Sequence, residues 1–235
     1  MDTTIALVTG ATQGIGRETA RRLVALGWTV WVGARDLDAG ERVAGELGGD
    51  ARAVRLDVTD DASVADAVRV VDTTHGRLDV LVNNAGVSGR LVGPRDTPPA
   101  DFLPVYGVNV LGPVRVTHAF LPLLDRSAQP RVVMVSSGLG SFGVTTDPAR
   151  FESTIAGLAY PSSKAALNMI TSQYAKVLDG YQVLAVDPGY TATGLNGHQG
   201  FQTVEQGAEA VVAAATVGPD APSGTFHDRA GALPW

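Results

Sequence analysis

Short apolar runs alternate with longer stretches of helical period along almost the whole chain. "TIALVTG" is β-branched, uncharged and closed by glycine, the pattern of a strand buried on both faces. "IGRETARRLVALG" follows with Ile15, Ala20, Leu23 and Val24 at helical spacing and Gly27 as a stop signal. The alternation then repeats. "TVWVGA" reads as strand, "DLDAGERVAGELGG" as helix, "ARAVRLDV" as strand, and "DDASVADAVRVVDTTHG" as helix with capping residues near Asp60–Ser63. "LDVLVNNAG" is strand and turn. "ADFLPVYGVNVLGPVRVTHAFLPLLDR" predicts one or two helices broken around Gly112–Pro113. "PRVVMVSS" is strand, a helix follows Pro161, "YQVLAVDPG" is strand, "TVEQGAEAVVAAATVG" is helix, and "GTFHDR" closes as a last strand.

Strands that alternate with helices imply right-handed crossovers and a parallel sheet covered on both faces. The expected fold is therefore α/β: a doubly wound, Rossmann-type parallel sheet of about seven strands, one domain over residues 1–235. No internal repeat or linker interrupts it. One glycine-rich loop, Gly138 to Ala159, is of a length that is usually either functional or disordered.

Composition narrows the function. Hydrophobic residues make up 45% and charged residues 18%, enough for a packed core and too little charge for disorder. The net charge of −6 argues against a nucleic-acid surface. With no cysteine, disulfides, thiolate metal sites and a cysteine nucleophile are excluded. The four histidines (His75, His118, His198, His227) have no ligand spacing, so no metal is expected. No apolar run approaches the roughly 18 residues of a membrane helix, and no signal peptide precedes the first strand. These readings predict a cytoplasmic protein acting on a small molecule, without membrane or nucleic-acid partners.

Candidate chemistry begins at "TGATQGIG", where Gly10, Gly14 and Gly16 join the first strand to the first helix. The spacing is not G-x-G-x-x-G, but the physics is shared. Gly10 permits a tight turn, Gly14 admits a pyrophosphate to the backbone, Gly16 allows close packing, and the helix N-terminus offers N–H groups to phosphate. An ordinary βα turn is the alternative. After the second strand, Ala34 stands where an acid that binds a ribose 2′-hydroxyl is expected, and Arg35 follows, suited to a 2′-phosphate or simply solvated. Tyr160 and Lys164 lie four apart at the start of a helix, with Pro161 suited to its first position. An ammonium near a phenol lowers the phenol's pKa and makes it a usable acid; taken alone, such a pair is more often structural.

TGxxxGxG, "NNAG", Asn109, "VSS", YxxxK and "PG" occur together in this order, and the chain resembles the short-chain dehydrogenase/reductase family across nearly its whole length. That resemblance implies nicotinamide-dependent hydride transfer between a carbonyl and an alcohol. It implies Tyr160 as acid/base, Lys164 as its partner and a ligand of the nicotinamide ribose, Ser137 on the substrate oxygen, and Asn109 holding a water of a proton relay. It implies cofactor contacts at Gly10, Thr12, Gln13, Gly14, Ile15, Gly16, Arg35, Asp57 and Val58, then Asn83, Ala85 and Gly86, then Pro188, Gly189, Thr191 and Thr193. Asp57 would meet the adenine; a turn or capping acid is its alternative. The segments "VGARD" and "GTFHDRAGALPW" resemble the carbonyl-reductase group most, which implies NADPH (NADP+) and reduction of a ketone, aldehyde or quinone. The oxidative alcohol-dehydrogenase direction and a non-catalytic NADP(H) sensor are the alternatives. Phe142, Phe151, Tyr190 and Leu195 are candidate pocket walls, with core packing as the alternative for each. Extra residues before Tyr160 are expected to cover a helical face used for assembly, which favours a monomer over a dimer or tetramer.

Overall fold

A computed structural model describes residues 3–90 and 92–235. The parallel strands are β1 (Ile5–Thr9), β2 (Thr29–Ala34), β3 (Asp50–Arg55), β4 (Val80–Asn83), β5 (Arg131–Val135), β6 (Gln182–Val186) and β7 (Thr225–Asp228). A two-residue strand, β8 (Gly231–Ala232), pairs antiparallel with β7. The order is β3-β2-β1-β4-β5-β6-β7-β8, so the sheet has eight strands where the sequence suggests about seven. The order reverses between β1 and β4, and doubly wound sheets place ligands at that crevice.

Six long helices cover the faces. α1 (Gly14–Ala25), α2 (Leu37–Leu47) and α8 (Val204–Ala215) bury Leu23, Val43 and Val211 against Val8, Val32 and Val133. α3 (Asp61–His75), α5 (Gly112–Leu124) and α7 (Ala159–Val177) bury Val71, Phe120 and Leu167 against Leu7, Leu81 and Met134. Removing a side chain such as Phe120, which is fully buried, costs about 3–5 kcal/mol. Asp36 and Asp60 cap α2 and α3 through their carboxylates, which accept from Asp38 and Ala39 N–H and from Ala62 N–H.

Three local expectations change. The predicted break at Gly112–Pro113 is absent: α4 (Phe102–Tyr106) runs through a π-helical turn, Gly107–Leu111, into α5 without leaving the right-handed region. Pro113 lies in the first turn of α5, where its missing N–H is tolerated most easily. The 138–159 stretch is not irregular throughout; it holds short turns at Gly138–Gly140 and Phe151–Thr154 and the one-turn α6 (Phe142–Thr145). α7 begins at Ala159, one residue before Tyr160, so Pro161 is its third residue.

Candidate active site

A cleft of about 1050 Å³ runs across the carboxyl ends of β1 to β6. Its floor is a hydrogen-bonded weld between the glycine loop and the segment after β4. Thr9 Oγ1 accepts from Asn84 and Ala85 N–H at 3.0 and 2.9 Å, and the Asn84 amide donates to the carbonyls of Thr9 and Gly10 at 2.8 and 3.2 Å. Gly10 has φ +63°, and a side chain there would meet Ala85 Cα at 3.0 Å, so both conformation and contact require glycine. A side chain at Gly16 would run into the Asn84 amide and the Gly10 carbonyl.

Gly10, Thr12, Gln13, Gly14, Ile15, Gly16, Arg35, Asp57, Val58, Ala85, Gly86, Pro188, Gly189, Thr191 and Thr193 all line this cleft. Asn83 does not. It is buried and donates to Thr117 Oγ1 at 3.0 Å and Met134 Sδ at 3.3 Å, while its neighbour Asn84 faces the cleft. Asp57 makes a turn of its own, accepting from Thr59 N–H and hydroxyl at 2.9 and 2.7 Å. Those two bonds, helped by Arg35 and Arg55, hold its carboxyl below the usual range against a burial effect that would raise it. Arg35 is exposed at the end of β2 and makes no ion pair among the described residues. Arg17 is held by Glu46 at 2.8 Å and is not part of the cleft wall.

At the other end, β5 delivers Ser136 and Ser137. Both line the cleft, but the Ser136 hydroxyl is consumed by Asn168 Oδ1 at 2.5 Å, while Ser137 accepts from Leu139 N–H at 3.2 Å. Tyr160 and Lys164 face the cleft from the first turns of α7, with Nζ 5.6 Å from the phenol ring centroid. Nζ donates to the Val135 carbonyl at 2.8 Å. Asn109 is brought inward by the π-helical turn and is fully buried. It exchanges bonds with Val87 (N–H to Oδ1 and Nδ2 to carbonyl, both 2.9 Å) and donates to Ser163 Oγ at 3.1 Å. It does not reach the cleft surface; it fixes the wall beside Gly86 and Lys164.

The electrostatics differ from the expectation that Lys164 lowers the phenol. Burial dominates and pushes the Tyr160 phenol up, the Asp187 carboxylate adds to this, and the Ser137 side chain pulls back. Burial also lowers Lys164, to about 8, with Asp187 opposing. A low dielectric disfavours both charged forms.

Near the Tyr160 end of the cleft, Phe151, Tyr190 and Phe201 form an aromatic cluster, with centroids 5.4 to 5.8 Å apart. Phe151, Tyr190 and Leu195 line the cleft with Leu103, Ile155 and Leu158. Phe142, the fourth candidate wall, is 78% exposed and outside it. The 138–159 segment turns toward the cleft, and Met169 and Val177 on the outer face of α7 stay exposed.

Among the described residues no helix is long and apolar enough to cross a membrane, and no cluster of metal-ligating side chains occurs. The sequence profile of the short chain dehydrogenase family matches residues 4–202. The chain belongs to that family. Short-chain dehydrogenase anuI of Penicillium roqueforti is 36% identical over 91% of this chain and 89% of its own. The (-)-isopiperitenone reductase of Mentha piperita is 32% identical over 97% of each. NADPH-bound carbonyl reductase from chicken fatty liver superposes with a TM-score of 0.87 at 27% identity, over 100% of both chains. This short-chain dehydrogenase is thus an oxidoreductase of nicotinamide type on a single-domain Rossmann-like fold. Sequence reading missed Asn84, legible from strand parity, and the buried Asp187, for which no local signal exists.

Proposed function

We propose that the chain is an NADPH-dependent reductase that converts the carbonyl of an apolar ketone, aldehyde or quinone to a hydroxyl, with Tyr160 as general acid. The observation that carries this reading is the grouping of Ser137, Tyr160 and Lys164 at one end of a long cleft whose other end holds the unpaired Arg35. The residues fit a dinucleotide phosphate. The glycine loop leaves backbone room, the N-terminus of α1 presents N–H groups, and Arg35 follows Ala34, which puts no carboxylate at the end of β2 itself.

A bound nicotinamide supplies hydride to the carbonyl carbon. Ser137 and Tyr160 donate hydrogen bonds to the carbonyl oxygen and stabilise its growing charge. Tyr160 releases its proton to that oxygen, Lys164 stabilises the phenolate left behind, and the open cleft returns a proton from solvent. Asn109 acts by locking Val87 and Ser163 beneath this wall. Burial keeps the phenol protonated, the form that can donate. Leu103, Ile155, Leu158 and the Phe151–Tyr190 pair favour an apolar substrate body. The (-)-isopiperitenone reductase and carbonyl reductase relatives support a carbonyl compound as substrate.

The test is NADPH consumption against a panel of apolar ketones, aldehydes and quinones, with Tyr160→Phe as control. A protein that binds NADPH and turns over none of the panel would be a sensor, and the reading would be wrong.

A further inference from the structure

Two hydroxyls must meet one carbonyl oxygen in the proposed reaction, and they belong to different elements: Ser137 follows β5, whereas Tyr160 opens α7. Asn168 joins the two. It lies on α7 four residues beyond Lys164 and eight beyond Tyr160, on the same side of the helix, and is 4% exposed. Its Oδ1 accepts from the Ser136 hydroxyl at 2.5 Å, and its Nδ2 donates to the Gly140 carbonyl at 3.2 Å. One amide therefore grips the chain on both sides of Ser137. The turn Gly138–Gly140 closes on Ser137 itself: Gly140 N–H donates to the Ser137 carbonyl at 2.9 Å and Leu139 N–H to Ser137 Oγ at 3.2 Å. Gly140 rests directly on α7. A Cβ there would sit 2.5 Å from the Lys164 carbonyl carbon and 2.7 Å from the Ala165 nitrogen.

We infer that Asn168 is a positioning residue: its amide holds the Gly138–Gly140 turn against α7 and so fixes the Ser137 hydroxyl relative to the Tyr160 phenol. The catalytic half of this inference rests on the reductase reading; the grip on the turn does not.

The Gly140 carbonyl can only accept, so the amide nitrogen faces it, the amide oxygen faces Ser136, and the Ser136 hydroxyl is left as the donor. Both ends of the amide are paired, which is the condition for burying it. Asparagine is a poor residue for a helix interior, because its side chain competes for nearby backbone groups. Here the side chain turns to another element instead, so its contribution is tertiary. The bond to Gly140 is the one that carries Ser137, since the turn closes on that residue. The Ser136 end orients the amide, and Ser136→Ala leaves the Gly140 bond in place. Lys164 adds a tie one helical turn away, from Nζ to the Val135 carbonyl at 2.8 Å. Together the two side chains reference Val135, Ser136 and Gly140 to the helix that carries the phenol. Such referencing matters because a misplacement of about 1 Å costs up to about 10²-fold in rate.

Asn168→Leu fills a similar space without either bond. It should lower kcat for carbonyl reduction about 10- to 100-fold and leave KM for NADPH unchanged. A double mutant separates positioning from mere structure. On a Ser137→Ala background, Asn168→Leu should cost about twofold or less, because the group it positions is gone. Val211→Ala, which opens the core on the other face of the sheet, should melt lower and leave kcat in place. Backbone N–H exchange followed by NMR reads the grip without turnover. The Leu139 and Gly140 N–H groups should exchange about fivefold faster in Asn168→Leu, the effect of losing one hydrogen bond, while those within β5 keep their rates. Where the leucine variant does not fold, Asn168→Ala carries the same measurements. A protein that reduces no carbonyl would sink the reductase reading and leave the exchange measurement standing. Unchanged exchange at Leu139 and Gly140, an unchanged kcat, or a loss equally large with and without the Ser137 hydroxyl would overturn the role of Asn168.

Discussion

Replacing Arg35 by alanine should change coenzyme choice more than it changes anything else. The guanidinium stands at the carboxyl end of β2, at the cleft, with no acidic partner of its own. A hydrogen bond to a charged group contributes about 1.5–3 kcal/mol, and bidentate arginine–phosphate pairing lies at the strong end. At about 1.4 kcal/mol per tenfold, that is roughly 10- to 100-fold in the ratio of catalytic efficiencies with NADPH and NADH. Arg35 is exposed, so salt screens it and the lower half of the range is expected at physiological ionic strength. Arg17, whose exposed pair with Glu46 at 2.8 Å is weak, can share the phosphate and would then blunt the loss. Ala34→Asp should go further, adding repulsion of the phosphate and an acceptor for ribose hydroxyls. The assay is kcat/KM for both coenzymes against one carbonyl, at low and high salt. A parent that uses NADH as readily as NADPH, or an Arg35→Ala ratio equal to the parent's, would refute the reasoning and leave Arg35 a solvated surface residue.

Tyr160→Phe should lose about 10²- to 10⁴-fold in kcat with NADPH binding retained, measured by steady-state kinetics and coenzyme titration. Ser137→Ala should be comparably severe in kcat, whereas Ser136→Ala, which loses the bond to Asn168, should cost about 1 kcal/mol in denaturant unfolding and little activity; the reverse ranking would reassign the serine. Phe201→Ala, at the exposed corner of the aromatic cluster, should raise KM for bulky apolar carbonyls while leaving KM for NADPH unchanged. Glu18, bonded by Arg21 and Arg22 at 2.7 Å, is lowered from 4.5 to about 2. Its stabilisation is complete above the unfolded value and is lost as pH falls through about 2, no more than about 3 kcal/mol in all. Glu18→Gln should therefore melt lower than the parent at neutral pH and converge with it in acid.

The fold was legible where burial imposes a period. β2 and β5 match their apolar runs residue for residue or nearly so, because both faces of each are covered. β8 left no trace, since Gly231 and Ala232 are exposed and bury nothing that could mark a strand. The π-helical turn at 107–111 was hidden for a different reason: its cause is tertiary, the bonds from Asn109 to Val87 and Ser163, while Gly112–Pro113 advertised a break. "NNAG" announced a turn but not which asparagine faces the cleft. Strand parity decides it. Leu81 and Asn83 share a face of β4, and Leu81 belongs to the core under α5, so Asn83 points there as well.

Spacing along a helix fixes which groups are neighbours but not the dielectric in which they meet, and the pair at 160 and 164 separates the two. Positions i and i+4 correctly imply that Nζ lies near the phenol. The inference that the phenol is thereby acidified takes a wet surface for granted, where attraction is the main effect and solvation is unchanged. At this site desolvation is the largest effect on both groups. The ammonium retains the Val135 carbonyl as an acceptor, whereas the phenol faces Asp187, whose charge opposes ionisation. The protein alone therefore holds a neutral phenol beside a lysine near pKa 8, the protonation state that reduction of a carbonyl needs at its start. Acidity has to develop as the carbonyl oxygen gains charge, so the proton moves in response to the reaction, and the donor is not spent beforehand.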